Sequence, residues 1–455
     1  MGARAAMPVT FIQSIRNGNL LPALTAVVVT IATFAKSFVP FYLIGSTPIF
    51  VASCSLGLVL IALASKKLAE QATYAKDILV ALTLLYGVVI ASFLIYSLHQ
   101  VPVTHLLGIL IFHGLFLLFG FAASRAPKAV FSVLIVEAAI YLLIVAQYTV
   151  RFGDLMRDGY LHNLFGVTVP ELITTFHQNI GSALGLASLG AIGLAAKQWR
   201  VAMFIALPLI FLFLFHIAAR TTIVALVCSL SFLVGAAVWV RSRKLALAGF
   251  AAIVLAAAVA ASVFYERALR DKDVDAVAPD AISRTIREIQ DPRPLFRMQI
   301  WTRAIHRVAA EPDRLLLGHG VGIFPIDEGF GPPNWLLRPA EGNKIYPHNI
   351  HLELLYETGV PGFLIFTVLT LLPLLFSLRH WDRLSAHERA AIAIYVFSLV
   401  SVEISGSFAY SYDFQFFYGL AAGVVALKRR ELRETGAGLM PANASRVLEI
   451  EKTAT

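Results

Sequence analysis

Apolar runs long enough to cross a lipid bilayer recur from one end of this chain to the other, and no other feature limits its fold so tightly. A spanning helix needs about 20 mostly apolar residues, because a rise of about 1.5 Å per residue must cover a hydrocarbon core of about 30 Å. Such runs lie near 20–35, 48–64, 78–96, 104–122, 129–148, 180–196, 201–217, 221–240, 245–264, 360–378, 390–407 and 414–427, about twelve in all. The chain is 58% hydrophobic and 14% charged, against roughly 25% charged in soluble domains. The expected fold is an all-α polytopic membrane protein of about twelve transmembrane helices.

The few charges order these runs. With the N-terminus cytoplasmic, one set of loops carries Lys66 and Lys67, Arg125 and Lys128, Lys197 and Arg200, then Arg241, Arg243 and Lys244. Arg379, Arg383 and Arg389 follow, and the tail carries Lys428, Arg429, Arg430 and Arg433. The intervening short loops hold Lys36, Arg151, Arg157 and Arg220. This alternation is the positive-inside pattern, and it predicts that both termini are cytoplasmic. The net charge of +9 is spread over loops and not gathered in one patch, which argues against a nucleic-acid partner. Cys54 and Cys228 lie inside apolar runs, where neither a disulfide framework nor a zinc site is expected. Arg4 and Arg16 precede the first run without a small-residue cleavage site, so that run is expected to stay as an anchor.

Two outer segments exceed simple turns, 149–179 and 265–359. The expected organisation is helices one to nine over 1–264, a large outer loop over 265–359, helices ten to twelve over 360–427, and a cytoplasmic tail over 428–455. Inside the large loop, Pro294 to Ala310 has helical spacing through Leu295, Phe296, Ile300, Trp301, Ala304, Ile305 and Val308. Leu315 to Pro333 is glycine-rich and irregular. Asn349 to Glu357 reads as a short helix ended by Gly359.

Polar groups at a membrane surface are costly and mark candidate functional sites. The densest cluster is Tyr346-Pro-His-Asn-Ile-His-Leu-Glu-Leu-Leu-Tyr-Glu-Thr-Gly359. Pro347 restricts the residue before it, and Asn349 is a fair N-cap, which puts His348 at a helix N-terminus. The positive end of the helix dipole disfavours imidazolium there, and a neutral imidazole can act as a general base. The alternative is a surface histidine that stabilises a turn. His351, one turn on, is expected to be structural. Arg220 stands at the outer mouth of two apolar runs, where it either snorkels or pairs with a phosphate. Arg293, Arg297 and Arg303 make their region basic, and Trp301 suits an interfacial anchor. Gly318-His-Gly-Val-Gly322-Ile-Phe324 lacks the Lys-Ser/Thr of a phosphate loop; its glycines, Gly320 among them, are expected to turn the backbone sharply. Asp271, Asp273 and Asp275 are spaced like metal ligands, but they read as a solvated loop.

Taken in order, these pieces resemble the O-antigen ligase superfamily, membrane glycosyltransferases with a Wzy_C-type domain. Asn179-Ile-Gly-Ser-Ala183 resembles its Asn-x-x-x-Ala opening, Ala219-Arg220 its Ser/Ala-Arg pair, and Arg297-x-x-x-Trp301-x-x-Ala304 its Arg-x-x-x-Trp helix. Gly318-x-Gly-x-Gly322-x-Phe324 resembles its glycine run. His348-Asn349, Leu352 and Glu357-x-Gly359 resemble its terminal signature. The likeness covers roughly 170–425; Ala219 departs from the serine often found before the arginine.

The resemblance implies a GT-C-type fold, no cofactor, no metal, and the periplasmic face of a Gram-negative inner membrane. It implies an undecaprenyl-pyrophosphate-linked glycan as donor and lipid A–core oligosaccharide as acceptor, with membrane lipids around both. His348 would then deprotonate the acceptor. Arg220, Arg297 and Arg303 would compensate the pyrophosphate, with Asn349, His351, Trp301, Tyr346 and Gly320 in support. Trp301, Trp335 and Tyr346 would stack on sugar faces or seat the loop in headgroups. Attack opposite the pyrophosphate would invert the anomeric centre. The competing readings are an O-antigen polymerase, a protein O-oligosaccharyltransferase using the same donor, and a lipid-linked sugar transporter.

Overall fold

The computed structural model describes residues 20–35, 38, 46–152, 170–195, 200–217, 219–245, 247–249, 296–333 and 346–436. Every regular element among them is helical. In chain order these are α1 (Leu20–Phe34), α2 (Ser46–Leu63), α3 (Ser65–Ala72), α4 (Lys76–Ser92), α5 (Val103–Ala123), α6 (Pro127–Phe152) and α7 (Pro170–Leu194). Next come α8 (Arg200–His216), α9 (Arg220–Arg241), α10 (Phe296–Ala310), the single turn α11 (Phe324–Asp327), α12 (Ile350–Arg379), α13 (Ala386–Ser405) and α14 (Tyr412–Glu434).

Among the described residues, six stretches are both long and apolar enough to cross a membrane: Ser46–Leu63, Ser65–Ser97, Val103–Ala123, Pro127–Gln147, Arg220–Arg241 and Ile350–Arg379. Leu20–Phe34 and Ala206–Phe215 are apolar but shorter. Six falls below the expected twelve for identifiable reasons. Charges interrupt α13 at Glu388, Arg389 and Glu403, and α14 at Asp413, Lys428 and Arg429. The expected run 245–264 lies mostly outside the described residues, as do Asp271 to Asp275, Arg293 and Trp335.

The interrupted helices α13 and α14 form the interior of the bundle. Ala391 through Tyr395 of α13 are fully buried, and so are Phe416, Phe417, Leu420 and Ala421 of α14. α14 packs most extensively on α5, and its backbone approaches closely there. A Cβ on Gly120 would collide with the Phe416 backbone, and one on Gly419 with the Leu117 carbonyl. Small residues four apart, here Gly419 and Gly423, permit such contact where helices have no hydrophobic drive to associate.

α10 buries Ile300 and Ala304 against Phe324 and Tyr356, with Trp301 and Val308 beside them. Ile305, expected on the same face, is 55% exposed. The buried stripe runs through i and i+4 from Ile300, and Ile305 falls past its edge.

α12 contains a break at Gly359 (φ 72°, ψ −169°), where the sequence expects the short helix to stop. The Gly318 turn (φ 71°) presses against this break. A Cβ on Gly359 would meet the Leu315 carbonyl at 2.5 Å and the Gly318 amide at 2.8 Å. Gly359→Ala is therefore expected to destabilise by about 1–3 kcal/mol, from a disfavoured φ alone before the collision is counted. Thermal unfolding in detergent checks it; an unchanged midpoint would show that the break can relax.

Candidate active site

The first two turns of α12 tie five other segments together. Asn349 caps the helix as expected: its Oδ1 accepts from the Leu352 amide at 2.8 Å. Its Nδ2 donates to the Glu403 carbonyl of α13 at 2.9 Å. His351 Nδ1 lies 2.6 Å from Glu403 Oε1, and its ring packs edge-on against Phe363 and Phe366. Glu353 is buried; its carboxylate accepts from the Ser407 hydroxyl at 2.8 Å and the Phe408 amide at 2.9 Å. Glu357 accepts at its carbonyl from the Gly320 amide at 3.1 Å and the Ser92 hydroxyl at 2.6 Å. Its carboxylate takes the Gly322 and Phe324 amides.

His348 stands at the edge of this hub. It is the one non-glycine residue with positive φ among those described (φ 56°). A strained backbone of this kind persists only where its surroundings over-determine it. Here Trp301 does part of that holding. Its indole N–H donates to the Pro347 carbonyl at 2.6 Å, one residue before the strained position. Trp301 therefore has a positioning contact that the sequence did not reveal. The His348 ring lies 4.3 Å from Tyr346, which lies 6.2 Å from Tyr410. Burial first, and then the Glu353 carboxylate, push the Tyr410 phenol well above its ordinary pKa, so it remains a hydroxyl donor.

The glycine run curls against this hub with positive φ at Gly318, Gly320 and Gly322, as its composition suggests. Gly320 fits against Ser97 and Tyr96, and Gly322 against His105. A polar cavity of about 340 Å³ lies beside it, lined in part by Tyr96, Arg307, Arg314, His319 and Asp327. His319 stacks on Tyr356 at 4.1 Å, and the Tyr356 hydroxyl donates to Asp327 at 2.5 Å. Burial works against the Arg307 charge, but the Tyr356 hydroxyl, Glu328 and Asp327 outweigh it and raise its pKa.

The arginines divide. Arg303 is 2.8 Å from Glu328, a carboxylate it shares with Arg307 at 3.3 Å. Arg297 lies in the first turn of α10, with its side chain outside the described residues. Arg220 opens α9 and is exposed. The Asn179 segment lies beside it, because Gly181 of α7 packs on Ala219 and Thr222. Gly185 and Thr222 also meet near Phe397 of α13. Glu403 follows six residues on, about 9 Å along that helix. Arg220 and the His351–Glu403 pair therefore share one end of the bundle.

This end thus combines an imidazole on a strained turn, phenolic hydroxyls and an exposed guanidinium, the components of base-assisted displacement at a charged leaving group. Residues 202–367 match a family model described as O-antigen ligase, Wzy_C. The match runs from α8 into α12. No curated protein matches the chain. The Wzy_C match contains Arg220, Arg297, Arg303, the glycine run and Tyr346 to His351, while Asn179 and Glu403 lie outside it.

Sequence reasoning missed Glu403, which holds both Asn349 and His351. The available signal was a carboxylate inside an apolar run, which demands a partner. It also missed the Arg307–Tyr356–Asp327 network, whose members come from three separate helices, α10, α12 and α11.

Proposed function

We propose that this protein is an O-antigen ligase. It transfers a glycan from undecaprenyl pyrophosphate to lipid A–core oligosaccharide at the periplasmic face of a Gram-negative inner membrane. The observation that carries this reading is the Wzy_C match over 202–367, which spans the candidate base and all three candidate arginines. The hydropathy and charge alternation support about twelve helices with both termini cytoplasmic and 265–359 periplasmic, and the family resemblance implies a GT-C-type arrangement.

In this mechanism His348 accepts the proton of the acceptor hydroxyl as its oxygen attacks the anomeric carbon. The bond to pyrophosphate breaks on the opposite side, so the anomeric centre inverts. Arg220 and Arg297 stabilise the negative charge that develops on the leaving group. Arg303, paired with Glu328, acts mainly by holding α10 to the loop after α11. Asn349 and Trp301 fix the backbone on either side of His348.

The test is a reconstitution with lipid-linked glycan as donor. Wild-type protein is expected to move the glycan onto lipid A–core and to release undecaprenyl pyrophosphate. Growth of glycan on the carrier would make it a polymerase, and transfer to a peptide hydroxyl a protein O-oligosaccharyltransferase. Movement of the intact donor across vesicles without transfer would make it a transporter.

A further inference from the structure

The end of the bundle opposite His348 carries a second built site. A groove of about 800 Å³ opens between the last turns of α12 and α14. One wall is apolar: Leu372, Leu375 and Phe376 of α12, with Leu432 of α14. The mouth is basic: Arg379, His380, Arg429 and Arg433 line it, and among the described residues no acidic one does. The 372, 375/376, 379 spacing puts the apolar and basic groups on one helix face, in order from the bilayer outward.

Charge bookkeeping shows which cations are available. Arg429 is engaged by both oxygens of Asp77, at 2.6 and 2.8 Å, and lies 5.3 Å over the Phe376 ring. Lys428 takes Glu431 and Glu388, and Arg430 takes Glu434. Among the described residues, those pairs leave Arg379 and Arg433 without a carboxylate. The positive potential is felt locally. His380 is held below its ordinary pKa, first by burial and then by Arg379 and Arg383, with Asp382 opposing and Arg429 adding to it.

We propose that this groove is a binding site for one anionic glycerophospholipid, whose phosphate sits on Arg379 and Arg433 and whose acyl chain lies along Leu372, Leu375 and Phe376. A soluble anion would use the arginines but not the wall. That wall continues along the spanning part of α12, where Val368, Leu371 and Leu375 are exposed at 52%, 43% and 58%. Basic clusters at a membrane surface attract anionic headgroups. A concave pocket with convergent cations adds a fixed position to that general attraction.

The experiment is a native mass-spectrometric titration of the full chain in mild detergent. The probes are dimyristoyl phosphatidylglycerol, dimyristoyl phosphatidylcholine and glycerol phosphate. The expected result is one phosphatidylglycerol bound preferentially over phosphatidylcholine. In the Arg379→Gln/Arg433→Gln double variant its binding is about tenfold weaker, with unchanged thermal unfolding in the absence of lipid. Histidine NMR should show the His380 pKa rising with phosphatidylglycerol and not with phosphatidylcholine, since a bound anion favours imidazolium. Equal binding of the two lipids, or a preference that survives in the double variant, overturns the proposal. Competition by glycerol phosphate at matching concentration overturns it in favour of a soluble-anion site. Tighter phosphatidylglycerol binding after removal of 437–455 would make the chain's own C-terminal segment the occupant. None of these outcomes depends on whether the protein transfers a glycan.

Discussion

His348→Ala is expected to lower single-turnover glycan transfer by about 10²–10⁴-fold, the usual cost of losing a positioned general base. Donor binding and thermal unfolding should change little, because the ring sits at the rim of the hub and no helix depends on it for its cap. Asn349 supplies that cap, through its own side chain. The comparison is His351→Ala. His351 Nδ1 is occupied by Glu403 at 2.6 Å and its ring is packed on Phe366. Its loss should disturb the join between α12 and α13 and show mainly as reduced stability, with a smaller effect on the chemical step. If His348→Ala transfers at wild-type rates while His351→Ala does not, the base is His351 and Glu403 is its orienting carboxylate. Transfer is measured in single-turnover mode so that product release cannot mask the step.

How much of the fold and site is legible in the sequence depends on the distance over which each feature is encoded. The helices follow from runs of about 20 apolar residues, a signal that depends on local composition alone. Where that signal blurs, tertiary packing is the cause. α14 continues to Glu434, beyond the expected limit at 427, because Arg429 and Lys428 find partners in Asp77 and Glu388 and the helix need not end where hydropathy does. The Asn349 cap and the Gly359 break are also legible, since each depends on a residue type with a local backbone consequence. The indole bond from Trp301 to Pro347 and the bond from Asn349 to Glu403 are not. They join residues 46 and 54 positions apart, and no periodicity encodes such a pairing. Arg303 shows the converse. Its spacing beside Arg297 suggests an anion site, but it pairs with Glu328, 25 positions away in a glycine-rich turn, which Arg307 shares.

Arg220 is where charge and geometry can be separated. A pyrophosphate leaving group gains negative charge as the glycosidic bond breaks, so a donor aimed at it helps the transition state more than the ground state. Guanidinium offers two parallel N–H groups to two phosphate oxygens, whereas ammonium is a point charge. Arg220→Lys should therefore lose about tenfold in single-turnover transfer with the formal charge kept, and Arg220→Ala about 10²–10³-fold. Donor affinity should fall much less than rate. The position favours this role: Arg220 opens α9, so the backbone N–H groups of that helix terminus point the same way and add to the potential felt by an anion. Simple snorkelling makes the opposite forecast, because any cation long enough to reach the headgroups would serve and Lys would replace Arg at full rate. Arg297, at the start of α10, should behave like Arg220 if both clamp one pyrophosphate, and their double variant should then cost less than the product of the single losses. Full transfer by both lysine variants would remove the arginines from the chemistry, and the leaving group would need another source of positive charge.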